Sequence, residues 1–291
     1  MNALSTGVVY QLSPAWPVFG RYTGSNRAPT AAELSCADPD EPCRVPNAYV
    51  SDPPLEQAVA RSVEGGLRGS PTVRGTSELA WSISAYRTGI RDDILFVASP
   101  ELIGTGYFQN AADTRRAGID VDISGRGERF RWYSSYGLVE ATFQSGLVLP
   151  SNEQVNDAAD EDGILVVEPG DRMPGIPVHS LNAGVRYAVT ERWDVTLESI
   201  LASSRFFVGD KGNDQEPLDG YGLFNFRTAY AVNENVELFA QVNNLFDADY
   251  ATFGVLAEVE IALEEAPDAT DPRFVSPGAP RSVFAGVRVR F

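Results

Sequence analysis

The chain has 291 residues, with 40 acidic side chains against 23 basic ones and a net charge of −17. That charge excludes a nucleic-acid-binding protein, because contacts to a phosphate backbone need a positive surface. The mean hydropathy is −0.16 and no uninterrupted apolar run of about 18 residues occurs, which excludes a transmembrane helix but not a transmembrane β-barrel, whose strands alternate apolar and polar residues.

Runs in which apolar and polar residues alternate begin near the N-terminus and recur to the last residue. The pair Gly7–Leu12 and Trp16–Tyr22 is joined by a short turn, and Leu181–Val189 and Trp193–Ser199 repeat the plan. A period of two residues predicts strands with one apolar face, and a short turn between two such strands predicts a hairpin. About eleven strands are expected, near residues 5–12, 16–24, 58–69, 78–90, 106–125, 129–144, 179–189, 193–208, 220–232, 236–252 and 281–291.

The connections between these strands alternate strictly in length. Short turns fall near 13–15, 70–77, 126–128, 190–192 and 233–235, and long polar loops near 25–57, 91–105, 145–178, 209–219 and 253–280. Outer-membrane barrels show this arrangement, with tight turns on the periplasmic side and long loops outside. Aromatic residues beside the short turns fit a belt at the membrane interface; they are Tyr10, Trp16, Tyr187, Trp193 and Tyr230.

The two cysteines, Cys36 and Cys43, are separated by six residues in a polar, proline-rich loop. This spacing suits a small disulfide loop, which implies an oxidising compartment, although two free thiols would also fit it. A metal site is not expected there, because no histidine lies nearby.

Motifs for catalysis are missing from the sequence. His179, the single histidine, is expected to be a loop or strand-end residue, and no Gly-x-Ser-x-Gly, His-Glu-x-x-His or phosphate-loop pattern occurs. Acidic residues are concentrated in the long loops, with seven carboxylates and no basic residue between Ser151 and Asp171 and a second acidic group near 258–271. Solvated loops explain this pattern, and binding of divalent cations is the alternative.

Three segments resemble those of TonB-dependent outer-membrane receptors. Arg27–Leu34, which follows an aromatic strand, resembles their strand-to-loop segment, and Asn243–Tyr250 resembles their Asn-Leu-Phe-Asp-x-x-Tyr signature. The alternation of Val283, Ala285, Val287, Val289 and Phe291 resembles the C-terminal assembly signal of outer-membrane barrels, with Val287, Val289 and Phe291 as its core. The resemblance extends over essentially the whole chain.

The resemblance implies an all-β, antiparallel, up-and-down transmembrane barrel of about 22 strands with a plug domain in its lumen. The sequence accounts for only about eleven of these strands, so residues 1–291 are interpreted as the C-terminal half of the barrel, without plug domain or signal peptide. Eleven alternating strands would close only through a parallel pair, and unpaired edges are costly in hydrocarbon. A truncated gene, a split gene and a partial record all remain open.

The resemblance also implies a function in the outer membrane of a Gram-negative bacterium. Such a receptor takes up a scarce nutrient, for example a ferric siderophore, and makes or breaks no bond in it, so neither an enzyme nor a cofactor is expected. The partners would be membrane lipid, the missing barrel half and plug, TonB through that plug, and the nutrient.

Arg115 and Arg116 are candidate contacts to an anionic chelate, with pairing to carboxylates of the barrel interior or plug as the alternative. Arg131, Arg186, Arg227, Arg288 and Arg290 also fall on the polar face, where such pairing is expected. A soluble β-sheet binding or adhesion protein and an outer-membrane barrel hydrolase are the competing classes.

Overall fold

The computed structural model describes residues 3–13, 15–38, 55–71, 78–98, 106–151, 156, 158–160, 163–257, 259 and 270–291. In chain order the strands are β1 (Leu4–Ser13), β2 (Trp16–Arg27), β3 (Ala58–Gly69), β4 (Glu78–Ala98), β5 (Gly106–Arg126), β6 (Phe130–Phe143), β7 (Leu147–Pro150), β8 (Ile164–Val167), β9 (His179–Ala188), β10 (Trp193–Ala202), β11 (Tyr221–Ala231), β12 (Val236–Asn243), β13 (Ala251–Leu256), β14 (Arg273–Pro277) and β15 (Ser282–Val289). A short helix, α1 (Ala31–Leu34), follows β2. Among the described residues, no helix is long and apolar enough to cross a membrane.

Eleven of these strands form one antiparallel sheet in the order β1-β2-β3-β4-β5-β6-β9-β10-β11-β12-β15. Neighbouring strands of the sheet follow one another along the chain, with hairpins β7–β8 and β13–β14 inserted between β6 and β9 and between β12 and β15. The strands therefore run alternately up and down, as predicted. The connections between β1 and β2, β3 and β4, β5 and β6, β9 and β10, and β11 and β12 are short and lie at one end, here called the short-turn end. The remaining connections lie at the opposite end, the long-loop end.

Each strand of the sheet has one apolar and one polar face, set by the two-residue period. In β10, Leu197 lies beside Val185 of β9 and Phe226 of β11 on the apolar face, whereas Glu198 lies beside Gly184 and Asn225 on the polar face. Large side chains on the apolar face are exposed, including Ile83 (40%), Ile119 (39%) and Leu197 (40%). Nothing in the described chain covers this face, which is the arrangement expected of a wall that meets lipid.

The polar face is linked by ion pairs and hydrogen bonds between neighbouring strands. Arg186 of β9 pairs with Asp194 of β10 at 3.0 Å, and Arg288 of β15 pairs with Glu237 of β12 at 2.7 Å. Further links are Arg21 with Glu64 and Ser135 with Asp122. For Arg186 and Arg288, the predicted pairing with carboxylates on the polar face is therefore confirmed.

Buried apolar residues of the described chain are concentrated at the long-loop end, away from the wall. The largest buried side chains include Phe143 (1% exposed), Val97 (1%) and Val167 (0%), and they belong to one cluster there. By contrast, the middle of the wall contributes no large buried apolar side chain among the described residues. The apolar faces of the wall strands therefore do not pack against each other in a water-free core, as they would in a soluble β-sandwich.

Several predicted boundaries were wrong. β4 continues past residue 90 to Ala98 through a bulge at Asp92 and Asp93, so part of the predicted 91–105 loop is strand. β10 ends at Ala202 instead of 208, and β12 ends at Asn243 instead of 252, because Asn244 adopts a left-handed backbone with φ 49°. The predicted loop 145–178 contains the hairpin β7–β8, and the predicted loop 253–280 contains all of the hairpin β13–β14 except the first two residues of β13.

Candidate functional site

The long-loop end has its own apolar core, which fixes the geometry of the loops. Hairpin β7–β8 packs one face onto the ends of β4, β5 and β6, because its side chains alternate between buried and exposed. The buried members of this cluster are Val97, Ala112, Phe143, Leu147, Leu149 and Val167, each 8% exposed or less. The loop layer is therefore a packed structure in which side chains can be held in defined positions.

A polar triad lies where β4 and β5 leave the wall. Thr114 Oγ1 donates a hydrogen bond to Asp93 Oδ2 at 2.8 Å, and Arg116 Nη2 lies 3.6 Å from the same oxygen. Arg116 Nη1 donates to Thr114 Oγ1 at 3.3 Å. Asp93 and Thr114 are buried (8% and 1% exposed), while the Arg116 side chain keeps 33% exposure. The buried Asp93 carboxylate thus contacts one side of the Arg116 guanidinium, and the other N–H donors of that guanidinium remain accessible.

The two candidate arginines lie on opposite faces of β5. Arg116 shares the polar face with Gly118 and Asp120, since every second residue of a strand points the same way. Arg115 shares the apolar face with Ala117 and Ile119, beyond the apolar residues toward the long loops. Arg116 alone of the pair can face a barrel interior.

The loop between β10 and β11 joins two other elements of the loop layer. Asn213 Nδ2 donates to the Arg172 carbonyl at 2.9 Å, and Lys211 Nζ donates to the Phe96 carbonyl of β4 at 3.1 Å. Asp210 is fully buried and accepts the backbone N–H groups of Asp214 and Gln215 at 2.9 and 3.2 Å.

Burial shifts the ionisation of two neighbouring groups in this loop. It raises the pKa of the Asp210 carboxyl, an effect that the two backbone N–H groups only partly offset. It lowers the pKa of the Lys211 ammonium to about 8. Both groups therefore favour their neutral forms more than they would in water.

The first predicted loop begins with a well-capped helical turn. Thr30 and Glu33 form a capping box at the start of α1, and Arg27 donates two hydrogen bonds to the Glu33 carboxylate. Burial raises the pKa of Glu33, but the hydrogen bonds from Arg27 and Thr30 outweigh it and leave the pKa below its ordinary value. The segment Arg27–Leu34 thus fixes the exit of the chain from β2.

Cys36 follows this turn and is 2% exposed. Its carbonyl accepts the Phe108 N–H of β5 at 2.6 Å, and no free thiol occurs among the described residues. Cys43 lies outside the described residues, so the Cys36–Cys43 disulfide stays a prediction.

The Asn243–Tyr250 signature forms a compact turn that ties β12 to the approach to β15. The buried Asn244 amide accepts the Ala248 N–H at 2.8 Å and donates to the carbonyls of Ala248 and Ala279 at 2.9 and 3.3 Å. Asp247 accepts the Arg281 backbone N–H at 3.0 Å, and the Tyr250 ring packs against Gly278, where a Cβ would lie 2.1 Å from a ring carbon. The signature residues therefore have a structural role at this site.

The remaining predicted residues lie away from the polar triad. Val287 and Val289 are exposed on the apolar face of β15 opposite Leu238 and Val236 of β12, and Phe291 is fully exposed beyond the strand end. Their role as an assembly signal stays a prediction. His179 is the first residue of β9, as expected for a strand-end residue, and its Nδ1 lies 2.8 Å from the Tyr136 hydroxyl.

Most of the second acidic group, including Glu258, Glu260 and Glu264, lies outside the described residues. Asp271 is described and forms an ion pair with Arg273 at 2.8 Å, and the hydrogen bonds from Arg273 lower the pKa of this carboxyl. The part of the chain that the structure describes holds no group of three or more His, Cys, Asp or Glu side chains able to bind a metal ion.

Sequence reasoning missed Asp93 and Thr114 as members of the triad. The bulge at Asp92, with φ 55°, shifts the register of β4 against β5, so spacing along the chain does not show that these residues meet. The sequence did indicate on which face of β5 each arginine lies, because the two-residue period that runs back from Ile119 places Arg115 on the apolar face and Arg116 on the polar one.

Comparison with known proteins identifies the family. The model of the TonB dependent receptor-like β-barrel matches residues 4–245. The iron-regulated outer membrane virulence protein of Vibrio cholerae serotype O1 is 25% identical over 255 residues, which are 86% of this chain and 36% of that protein. The chain thus spans about a third of the length of the relatives it matches.

Solved structures show the same fold. The ferric yersiniabactin uptake receptor FyuA from Yersinia pestis matches with a TM-score of 0.68 and 17% identity over 99% of this chain and 37% of that one. The ferric-catecholate import receptor Fiu from E. coli K12 matches with a TM-score of 0.66 and 18% identity, covering 99% of this chain and 34% of that one. The chain belongs to the β-barrel family of TonB-dependent receptors and is a protein of the Gram-negative outer membrane.

Proposed function

We propose that this chain forms part of the wall and outer loops of a receptor for TonB-dependent uptake of a ferric siderophore or a similar iron chelate. The observation that carries the proposal is the two-faced sheet, apolar and exposed on one side and polar on the other, with a packed loop layer at one end only. Support for iron comes from the named relatives, which include an iron-regulated outer membrane protein and two receptors for ferric chelates. The family is one of receptors, the Fiu and FyuA structures are of receptors, and uptake needs no bond in the cargo to change.

Arg116 is the candidate contact to the cargo. Its exposed donors lie on the polar face at the entrance from the long-loop end, and Asp93 and Thr114 hold it in place. A guanidinium binds carboxylate and catecholate oxygens through charge-assisted hydrogen bonds, so an anionic chelate suits this position.

The two edge strands of the sheet need further wall strands to pair with their free backbone groups. β1 and β15 are the first and last strands of the sheet, and both run from the long-loop end to the short-turn end. Hydrocarbon offers no partner for their free backbone groups. In our proposal the remaining wall of the receptor pairs with both edges, and a plug that contacts TonB fills the lumen; the 36% share of the relative's length leaves room for these parts.

The test is chelate binding by the protein purified from outer membranes in detergent. Tryptophan fluorescence is followed during titration with an anionic ferric catecholate, a neutral ferric hydroxamate and the iron-free form of each. The proposal expects saturable binding of at least one ferric form and much weaker binding of its iron-free form.

Two variants then test the site. Arg116→Gln is expected to weaken binding of an anionic chelate roughly 10- to 100-fold, as loss of charge-assisted hydrogen bonds implies. Arg227→Gln removes one charge from the polar face of β11, far from the triad, and is the matched control. Absence of binding by every ferric chelate, or growth on each of them unchanged after deletion of the gene, contradicts the function; an equal loss in both variants contradicts the role of Arg116.

A further inference from the structure

Three arginines surround an open position on the apolar face of the wall. Gly89 of β4 lies directly between Arg61 of β3 and Arg115 of β5 in the sheet register. On the same face of β4, Arg87 lies two residues before Gly89, and Arg91 lies two residues after it, beyond the cluster toward the long loops. Neighbouring strands are about 4.8 Å apart, so the backbones of Arg61 and Arg115 are separated by roughly 10 Å, within reach of a common ligand. A Cβ added to Gly89 would meet nothing within 4 Å, so the space above Gly89, between the arginines, can accommodate a ligand.

The position of this arginine cluster matches the edge of the lipid-facing band. On the same face, toward the short-turn end, come Val63 (59% exposed), Ile83 (40%) and Ile119 (39%). On the other side of the cluster the strands leave the wall and enter the loop layer. The arginines therefore lie at the boundary between hydrocarbon and headgroups on the long-loop side.

No anion within the described chain neutralises this cluster. None of its three arginines forms an ion pair with a described carboxylate, in contrast to Arg116, Arg186 and Arg288. The Nε of Arg115 is buried without any hydrogen-bond partner. Two carboxylates share this face: Glu140 of β6, in register with Ala117, and Asp113 of β5, two residues from Arg115 toward the long loops. With Arg91 also on this face, the arginines outnumber them and leave a net positive charge.

We infer that Arg61, Arg87 and Arg115 bind the phosphates of a lipid headgroup in the outer leaflet of the membrane. Arginine forms bidentate hydrogen bonds with phosphate oxygens, and basic residues at a membrane surface attract anionic headgroups. The acyl chains of the same lipid would lie along the apolar residues next to the cluster. This inference depends on the outer-membrane location and not on the nutrient that is transported.

The test uses the protein purified from outer membranes and stripped of lipid by detergent exchange. Its affinity is measured for micelles doped with lipid A that carries two phosphates, for the same glycolipid without phosphates, and for free pyrophosphate. The triple variant Arg61→Gln, Arg87→Gln, Arg115→Gln is compared with a control that removes the same charge from the polar face, Arg68→Gln, Arg131→Gln, Arg227→Gln.

The phosphorylated glycolipid is expected to bind best, and the triple variant to lose on the order of 100-fold in affinity, at roughly fivefold for each arginine. Gly89→Glu provides a second variant that keeps all three arginines and places a carboxylate in open space, so folding is spared and binding should fall. Equal affinity of wild type and both variants overturns the inference, as does an equal loss in the control. Binding of free pyrophosphate as tight as that of the lipid overturns it too, since the ligand would then be soluble phosphate.

Discussion

Replacement of Asn244 by alanine should open the turn between β12 and β15. The change removes three hydrogen bonds, to the N–H and carbonyl of Ala248 and to the carbonyl of Ala279. At about 1 kcal/mol each, their loss destabilises the turn by about 3 kcal/mol. Alanine also tolerates φ 49° less well than asparagine, which adds about 1 kcal/mol. The sum of about 4 kcal/mol corresponds to a roughly 10³-fold rise in the open population.

Limited proteolysis under native conditions measures this opening, because cleavage follows the open population when the turn closes faster than it is cut. Cleavage within 244–281 should accelerate about 10³-fold in Asn244→Ala and about fivefold less in Asn244→Gly, which loses the same bonds but tolerates the backbone angle. Asn233→Ala, at the short turn before β12, is the control and should leave this cleavage unchanged. The reasoning fails if Asn244→Ala is cut no faster than wild type while the protein stays folded.

Four further outcomes are expected. Lys211 is the sole lysine of the sequence, and burial lowers its pKa from 10.5 to about 8. Its reaction with an amine reagent, followed by peptide mass mapping, should therefore be half-maximal near pH 8 in the folded protein and near pH 10.5 after denaturation. Equal midpoints would show that the side chain is not desolvated. Because the folded pKa is the lower one, the loop layer should gain stability as pH rises from 8 toward 10.5, and Lys211→Met should remove that dependence. Cys36 and Cys43 should resist alkylation until a reductant is added, and immediate labelling of the native protein would refute the disulfide. Deletion of Phe291 should lower the amount assembled in the outer membrane severalfold by surface immunoblotting, whereas normal surface levels would count against the assembly signal.

The wall was predictable because its physics repeats. Every strand that separates lipid from an aqueous interior needs the same two-residue alternation, and a short turn fixes where the two strands beside it end and begin. Leu181–Val189 and Trp193–Ser199 show the pattern without interruption, and their pairing as β9 and β10 is confirmed. Tyr187, Trp193 and Tyr230 are likewise exposed beside the short turns, as an interfacial belt requires.

The loop layer was not predictable to the same degree because its contacts depend on irregular backbone. Hairpin β7–β8 has strands of only four residues, and their alternation is too short to separate from chance. The Asp93–Thr114–Arg116 triad depends on a bulge in which Asp92 takes a positive φ. The signature around Asn244 was recognised from sequence, but its role as a turn emerged only from the hydrogen bonds of its buried amide.

The most direct measurement of the central claim is a spin-label scan of three wall strands, β4, β5 and β10, in a cysteine-free background. Single labels at Ile83, Ile119 and Leu197 should be relaxed by oxygen dissolved in the bilayer, and labels at Ser84, Asp120 and Glu198 by a water-soluble nickel chelate. That alternation is what a wall with lipid on one side and water on the other predicts. Protection of the first three positions from both reagents would contradict it, because their side chains would then be packed in a dry protein interior.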